Sequence, residues 1–163
     1  MTPLRRRLSA ILLGLVMLPG LAGAGGLELR TLDGEPSSLG EQLVPGRWTL
    51  VMAWTTYCGV CREQYPVVSE FHSRHAADGG GVLGIALDGY AEADKVARYR
   101  VSQQHSFPSV LAEADSFGEG FERAAGEAFT GTPTYLLFDS AGKLRAFLSG
   151  PVTRDTLERA IEP

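Results

Sequence analysis

The two cysteines of this 163-residue chain, Cys58 and Cys61, lie together in one Cys-x-x-Cys motif. A disulfide between them would close a very small loop, whereas structural disulfides stabilise a fold by closing long ones. A structural zinc site usually has four protein ligands, and no histidine stands at a ligand spacing beside the pair. We therefore predict thiol-disulfide exchange at this motif, with a structural bridge and a metal site as the alternatives.

The segments on either side of the motif predict where the sulfurs lie. The apolar run 48–54 is typical of a buried strand, and apolar residues recur at helical spacing over 59–75. Cys58 therefore falls at the N-terminus of a helix, where unpaired N–H groups and the helix dipole favour a thiolate. We expect Cys58 to attack a substrate and Cys61, three residues later, to resolve the mixed disulfide.

The residues between the cysteines indicate the direction of the reaction. Gly59 and Val60 carry no charge and no proline. A strongly oxidising dithiol needs a stabilised reduced form, and this dipeptide offers no such stabilisation. We therefore expect a reductant rather than an oxidant.

The remaining patterns predict an α/β sandwich with a mixed central sheet flanked by helices and a short N-terminal β-hairpin. The predicted strands are 48–54, 82–88, 134–138 and 144–148, with a brief edge element at 107–111. After the first helix we expect one that begins near Glu92, one that begins at a Ser116-x-x-Glu119 capping box and ends near Phe129, and a last one through Leu157.

The N-terminus has the order of an export signal. Three arginines at 5–7 precede an apolar run at 8–18, and small residues follow at 22–24. The run is about half the length of a membrane-spanning helix. We predict that residues 1–24 are a signal peptide and that 25–163 form one domain in the periplasm; the alternative is an uncleaved signal that anchors the domain to the inner membrane.

The charge balance limits the classes of partner. Without the first 24 residues, twelve basic side chains face nineteen acidic ones, a formal charge of −7. Nucleic acids and anionic lipids require clustered Lys and Arg, so we exclude nucleic acid as a partner. We expect a monomer.

Two motifs resemble those of a known family. The segment 54–62 with Pro66 resembles the thioredoxin superfamily, and within it the periplasmic TlpA/ResA-like disulfide reductases, by its Trp54, its Arg62 and the position of its proline. The family also has Gly-Thr-Pro-Thr before a strand, and residues 131–134 match it. The resemblance covers the chain from about residue 27 to its C-terminus.

Four further residues are expected to contribute to the site, and the roles of two of them come from the resemblance. It implies that Pro133 follows a cis peptide bond beside the cysteines and that the Thr132 backbone binds an extended substrate segment. Trp54 would form a wall of the site, and Tyr57 would shield Cys58 or contact substrate. The candidate partners are exported proteins with cysteines, such as apocytochrome c, copper-site assembly proteins or misoxidised proteins in general, with a membrane thiol carrier as electron donor. No cofactor is expected beyond the Cys58–Cys61 disulfide.

The sequence departs from the family at two positions. Thioredoxin has a buried aspartate where this chain has Met52, and ResA-like reductases often have a glutamate where it has Gln64. Glu63 is adjacent but lies on another face of the predicted helix. The usual carboxylate for moving the Cys61 proton is therefore absent from its place, which leaves water or Glu63 as substitutes.

Two other functions are compatible with parts of the pattern. Thr55-x-x-Cys58 is similar to the Thr-x-x-Cys of peroxiredoxins, although those enzymes have no tryptophan at position 54. A copper carrier of the Sco type would use Cys-x-x-x-Cys and a downstream histidine, for which His105 is the candidate. His72 and His75 are spaced for a metal on one helix face, and we interpret His105 otherwise as a loop residue.

Overall fold

The computed structural model describes residues 26–77 and 80–162, so the predicted signal peptide lies outside the described residues. Seven strands form one mixed sheet in the order β2-β1-β5-β4-β3-β6-β7. The strands are β1 Glu28–Arg30, β2 Pro36–Ser38, β3 Trp48–Trp54, β4 Gly80–Ala86, β5 Ser109–Leu111, β6 Thr134–Phe138 and β7 Leu144–Ser149. Within these described ranges, no helix has both the length and the apolar character to span a membrane.

The sheet lies between two layers of helices, as predicted. The helices are α1 Leu39–Gln42, α2 Gly59–His75, α3 Ala93–Ser102, α4 Ala114–Ala125 and α5 Arg154–Ala160. Alternate residues of β3 face the two layers. Leu50, Met52 and Trp54 belong to the same buried cluster as α2, α3 and α5, whereas Val51 and Ala53 pack with α1 and α4.

The central strand β3 brings together segments that are distant in the chain. It pairs in parallel with β4 and antiparallel with β6. Ala53 near the end of β3 is opposite Thr134 at the start of β6. The entry to α2, the end of β4 and the entry to β6 therefore meet at one edge of the sheet.

The predicted hairpin is present, but two other predictions were wrong. β1 pairs with β2, and Arg30 of β1 also pairs with Leu111. The segment at 107–111 is therefore an interior strand, not an edge. The predicted capping box is also wrong, because α4 begins earlier, with Glu113 as its N-cap, and ends at Gly126 in a left-handed conformation. A capping box occurs instead at Ser38 and Glu41, at the start of α1.

Two glycines of β4 make room for the two tryptophans. A Cβ atom on Gly80 would lie 2.0 Å from the Trp48 ring. A Cβ atom on Gly84 would lie 2.8 Å from Trp54 Nε1 and 2.3 Å from Ser109 Oγ. All three distances are shorter than van der Waals contact, so the indole rings can pack over β4 only because these positions lack side chains.

Candidate active site

Cys58 and Cys61 form a disulfide at the N-terminus of α2. The S–S distance is 2.09 Å and the two Cα atoms are 5.2 Å apart. Cys58 is the N-cap residue, and its Sγ accepts a hydrogen bond from the Cys61 backbone N–H at 3.0 Å. Cys58 is partly exposed, whereas Cys61 is fully buried at 0%. A substrate can therefore reach one sulfur more readily than the other.

The charges of α2 favour a negative sulfur at its start. The first turn holds no acidic side chain, and the last turn holds His72, Arg74 and His75. The 17-residue helix therefore presents its unpaired N–H groups to Cys58 without a competing carboxylate in that turn. In the reduced protein the same N–H that now contacts Sγ would stabilise a Cys58 thiolate.

Thr132 and Pro133 lie beside the disulfide at the entry to β6. The peptide bond between them is cis. The Thr132 carbonyl oxygen is 3.5 Å from Cys58 Sγ, and the Pro133 carbonyl accepts a hydrogen bond from the Gly150 N–H at 2.8 Å. The structure therefore brings the Gly-Thr-Pro-Thr segment next to the sulfur that a substrate would approach.

Trp54 and Tyr57 have different environments although both flank the motif. The Trp54 side chain is 0% exposed and packs edge-on against Tyr65, with ring centroids 5.7 Å apart. Tyr57 is 77% exposed. Trp54 thus supports the site from within the core, and Tyr57 extends the surface beside Cys58.

The two departures from the family have structural explanations. Met52 is fully buried and replaces the aspartate with an apolar contact in the core. Gln64 is partly buried, and its Oε1 accepts hydrogen bonds from the Val152 N–H at 2.7 Å and the Tyr135 hydroxyl at 3.4 Å. Glu63 is exposed to solvent. Gln64 therefore connects α2 to β6 and to the loop before α5.

Sequence reasoning missed one carboxylate in the site. Asp88 follows β4, and its side chain is 1% exposed. It accepts hydrogen bonds from the backbone and hydroxyl of Thr56, two residues before Cys58. Its position at the C-terminal end of a predicted strand was the available signal, because such ends often carry functional residues in sheets with parallel strands.

His105 is a loop residue, as interpreted, but its ring is part of an aromatic cluster. Its centroid is 3.8 Å from that of Tyr65 and 4.9 Å from those of Trp54 and Phe107. Neither ring nitrogen has a hydrogen-bond partner within the part of the chain that the structure describes. Burial, with a smaller contribution from Arg100, lowers the pKa of His105 to about 4.

This environment predicts a loss of stability in acid. In the unfolded chain His105 has a pKa of about 6.5, which is higher than in the folded protein. The free energy of unfolding is therefore unaffected by His105 above that pH and decreases as the pH falls towards the pKa of the folded protein. The difference corresponds to about 3 kcal/mol, and we expect about 2 kcal/mol because the ring is only partly buried. Urea unfolding of the oxidised protein from neutral pH to pH 4 will measure this loss.

His72 contributes to the same acid loss, so a variant must separate the two. Burial also lowers the pKa of His72. A His105→Phe variant keeps an aromatic ring in the cluster. We expect its free energy of unfolding to decrease much less between neutral pH and acid, and the decrease that remains to come from His72. An acid loss as large in the variant as in the parent protein would contradict the prediction.

His72 and His75, which are spaced for a metal on α2, make other contacts in the structure. His72 Nδ1 accepts a hydrogen bond from the Val82 N–H at 3.0 Å, and His75 Nε2 lies 2.8 Å from a Glu158 carboxylate oxygen. Over residues 26–77 and 80–162, no group of three or more His, Cys, Asp or Glu side chains is arranged to hold a metal ion. The two histidines therefore connect α2 to β4 and to α5.

Comparison with known proteins gives relatives that share this chemistry. The family model described as Redoxin matches residues 20–161. The thiol-disulfide oxidoreductase YkuV of Bacillus subtilis is 27% identical, over 88% of this chain and 90% of its own length. The sporulation thiol-disulfide oxidoreductase A of the same organism is 26% identical, over 93% of both chains.

Solved structures share the fold. A thiol:disulfide interchange protein of the thioredoxin family from Chlorobium tepidum superposes with a TM-score of 0.68 at 23% identity, covering 85% of this chain and 92% of that one. StoA from Bacillus subtilis superposes with a TM-score of 0.61 at 25% identity, covering 83% and 95%. The predicted thioredoxin-like fold is confirmed.

Proposed function

Because this chain belongs to the Redoxin family, as a TlpA/ResA-like thioredoxin-fold protein-disulfide oxidoreductase, we propose that it is an exported reductase of protein disulfides. Cys58 is the attacking residue and Cys61 the resolving residue. One observation carries this assignment: Cys58 is partly exposed at the N-terminus of α2, whereas Cys61 is fully buried behind it.

The proposed reaction transfers two electrons from the dithiol to a substrate disulfide. The Cys58 thiolate attacks one substrate sulfur, forms a mixed disulfide and releases the other substrate sulfur as a thiolate. The Cys61 thiolate then attacks Cys58 Sγ, which forms the Cys58–Cys61 disulfide and releases the second substrate thiolate. A dithiol donor, proposed to be a membrane thiol carrier, reduces the disulfide for the next cycle.

The reductive direction is supported by the two residues between the cysteines. The helix N-terminus and the Cys61 N–H lower the energy of a Cys58 thiolate and so make Cys58 reactive, but they do not favour reduction of a substrate over oxidation. The uncharged Gly59 and Val60 add no further stabilisation of the reduced form, so the pair lacks the feature that makes a dithiol strongly oxidising.

The substrate is proposed to bind as an extended segment between Tyr57 and Thr132. Thr132 lies beside Cys58 Sγ. Tyr57, which precedes Cys58 in the chain, has an exposed ring. A strand-like segment could pair with the Thr132 backbone while its disulfide meets Cys58. The order of residues 5–24 and the Cys58–Cys61 motif support exported proteins with cysteines as the partners.

A Cys61→Ser variant tests the proposal by trapping its partners. The variant can attack but cannot resolve, so mixed disulfides through Cys58 persist. We expect a small set of exported cysteine proteins in non-reducing gels of cells that express the variant, identified by mass spectrometry, and their loss on reduction.

Cys58→Ser is the matched control, since it retains one cysteine but places it out of reach. We expect few adducts with this control. An empty trap with Cys61→Ser, or adducts drawn only from proteins that are not exported, would overturn the proposed function.

A further inference from the structure

A buried carboxylate holds the segment that leads into the disulfide. The two Asp88 carboxylate oxygens lie 3.0 and 3.3 Å from the Thr56 backbone nitrogen, and one also accepts a hydrogen bond from the Thr56 hydroxyl. Thr56 lies two residues before Cys58. The Asp88 side chain is 1% exposed, so water screens its charge poorly.

Lys95 on α3 balances this charge. Its Nζ lies 3.5 Å from Asp88 Oδ1 and 3.3 Å from Glu92 Oε2, and its side chain is 50% exposed. In the part of the chain that the structure describes, Lys95 is the one cation in an ion pair with Asp88. The pKa of Lys95 is raised, first by Glu92 and also by Asp88, so Lys95 stays charged at neutral pH.

The other titratable groups that face Asp88 do not replace Lys95. Tyr65 lies near enough to interact with Asp88, but burial raises its pKa well above the usual value, so it stays neutral. Glu92 pairs with Lys95 and adds negative charge. The electrostatic balance beside Thr56 therefore depends on Lys95.

The pair is close enough to affect the Cys58 sulfur. Two residues span at most roughly 7 Å, and the Cys58 N–H closes a turn on the Thr55 carbonyl, so the Asp88 carboxylate lies within roughly 10 Å of Cys58 Sγ. At an effective dielectric constant of about 20, a unit charge at about 10 Å changes an ionisation equilibrium by roughly fifteenfold, which screening by salt reduces to several-fold. With Asp88 and Lys95 both charged, their effects on a thiolate largely cancel.

We propose that Asp88 and Lys95 act as a positioning pair for Cys58, in which Asp88 holds the Thr56 segment and Lys95 cancels a buried negative charge that would oppose the thiolate. The inference concerns the same cysteines as the thiol-disulfide exchange activity. Asp88, which follows β4, is a buried carboxylate near Cys58, whereas neither Met52 nor Gln64 has a carboxylate.

Two substitutions have opposite expected effects on the reduced protein. Lys95→Met leaves the buried carboxylate uncompensated, so the pKa of the Cys58 thiol rises and alkylation by iodoacetamide near neutral pH slows about three- to tenfold. Asp88→Asn keeps an oxygen for the Thr56 N–H but leaves Lys95, so alkylation speeds up about two- to threefold. The measurement is the alkylation rate of Cys58 as a function of pH.

Lys143 provides the matched control. It is the other lysine of the chain and lies in the turn between β6 and β7, so Lys143→Met should leave the alkylation profile of Cys58 unchanged. Because the assay uses no partner protein, its result is independent of the substrate and of the direction of electron flow, and an empty trap in the previous experiment would leave this test intact.

Two outcomes would overturn the proposal. If Lys95→Met has the same profile as Lys143→Met, the pair has no influence on Cys58. If Lys95→Met and Asp88→Asn both slow alkylation, the pair acts only by holding the loop. Should Asp88→Asn fail to fold, the comparison between the two lysine variants decides alone, because Lys95 is half exposed and its substitution leaves the core intact.

Discussion

Replacing Cys58 by serine should reduce turnover of a protein disulfide substrate by at least about a thousandfold. A serine hydroxyl cannot form the mixed disulfide, and Cys61 is fully buried and cannot replace Cys58 as the attacking group. The measurement is the rate of reduction of a model protein disulfide by the reduced enzyme with an excess of a dithiol donor. Thermal unfolding of both reduced proteins controls for folding, and we expect closely similar midpoints.

Cys61→Ser separates the two half-reactions. This variant should form the first mixed disulfide at a rate within about tenfold of the parent protein, because Cys58 keeps its place at the helix N-terminus. Turnover should nevertheless stop after one event. If Cys58→Ser retained turnover while Cys61→Ser lost the first step, the assignment of attacking and resolving residues would be reversed.

Trp54→Ala should destabilise the oxidised protein by about 4 kcal/mol, the largest stability effect that we expect from one substitution. The indole is fully buried among Tyr65, Tyr99 and His105. Its removal leaves a cavity that these rings cannot refill without leaving their own contacts. Urea unfolding at neutral pH measures the free energy of unfolding, and Trp54→Phe, with about half the loss, supplies a value if the alanine variant does not fold.

Trp48 is the matched control for Trp54. It lies at the other end of β3, packs against Phe71 and is partly exposed. Trp48→Ala should therefore cost about 2 kcal/mol, roughly half the effect of Trp54→Ala. Equal losses for the two variants would show that the burial of Trp54 contributes no more than ordinary strand packing.

The regular elements with strong periodicity could be predicted from the sequence. The apolar run of β3, the helical spacing of α2 and the hairpin of β6 and β7 have the predicted positions to within about two residues. The cysteines and the Thr132–Pro133 segment could be placed because their motifs are local. The resemblance implied that the two segments lie close together, and in the structure Cys58 Sγ is 3.5 Å from the Thr132 carbonyl oxygen.

The wrong prediction for β5 and the features that were missed depend on contacts between distant segments. The strand β5 has three residues, and its interior position comes from a pairing with Arg30 that no local pattern shows. The burial of Asp88 against Thr56 and the aromatic surroundings of His105 arise only when segments distant in the chain come together. Short elements and buried polar groups are therefore the features for which a tertiary structure was needed.

The meeting of three segments at one edge of the sheet has a consequence for newly made chains. Synthesis delivers the polypeptide from its N-terminus, so Cys58 and Cys61 emerge well before Thr132, which is 74 residues after Cys58. The cysteines cannot be enclosed until β6 has joined β3. Until then both thiols of a nascent chain are open to any oxidant in the compartment, and selective reactivity begins only when the last third of the domain has folded.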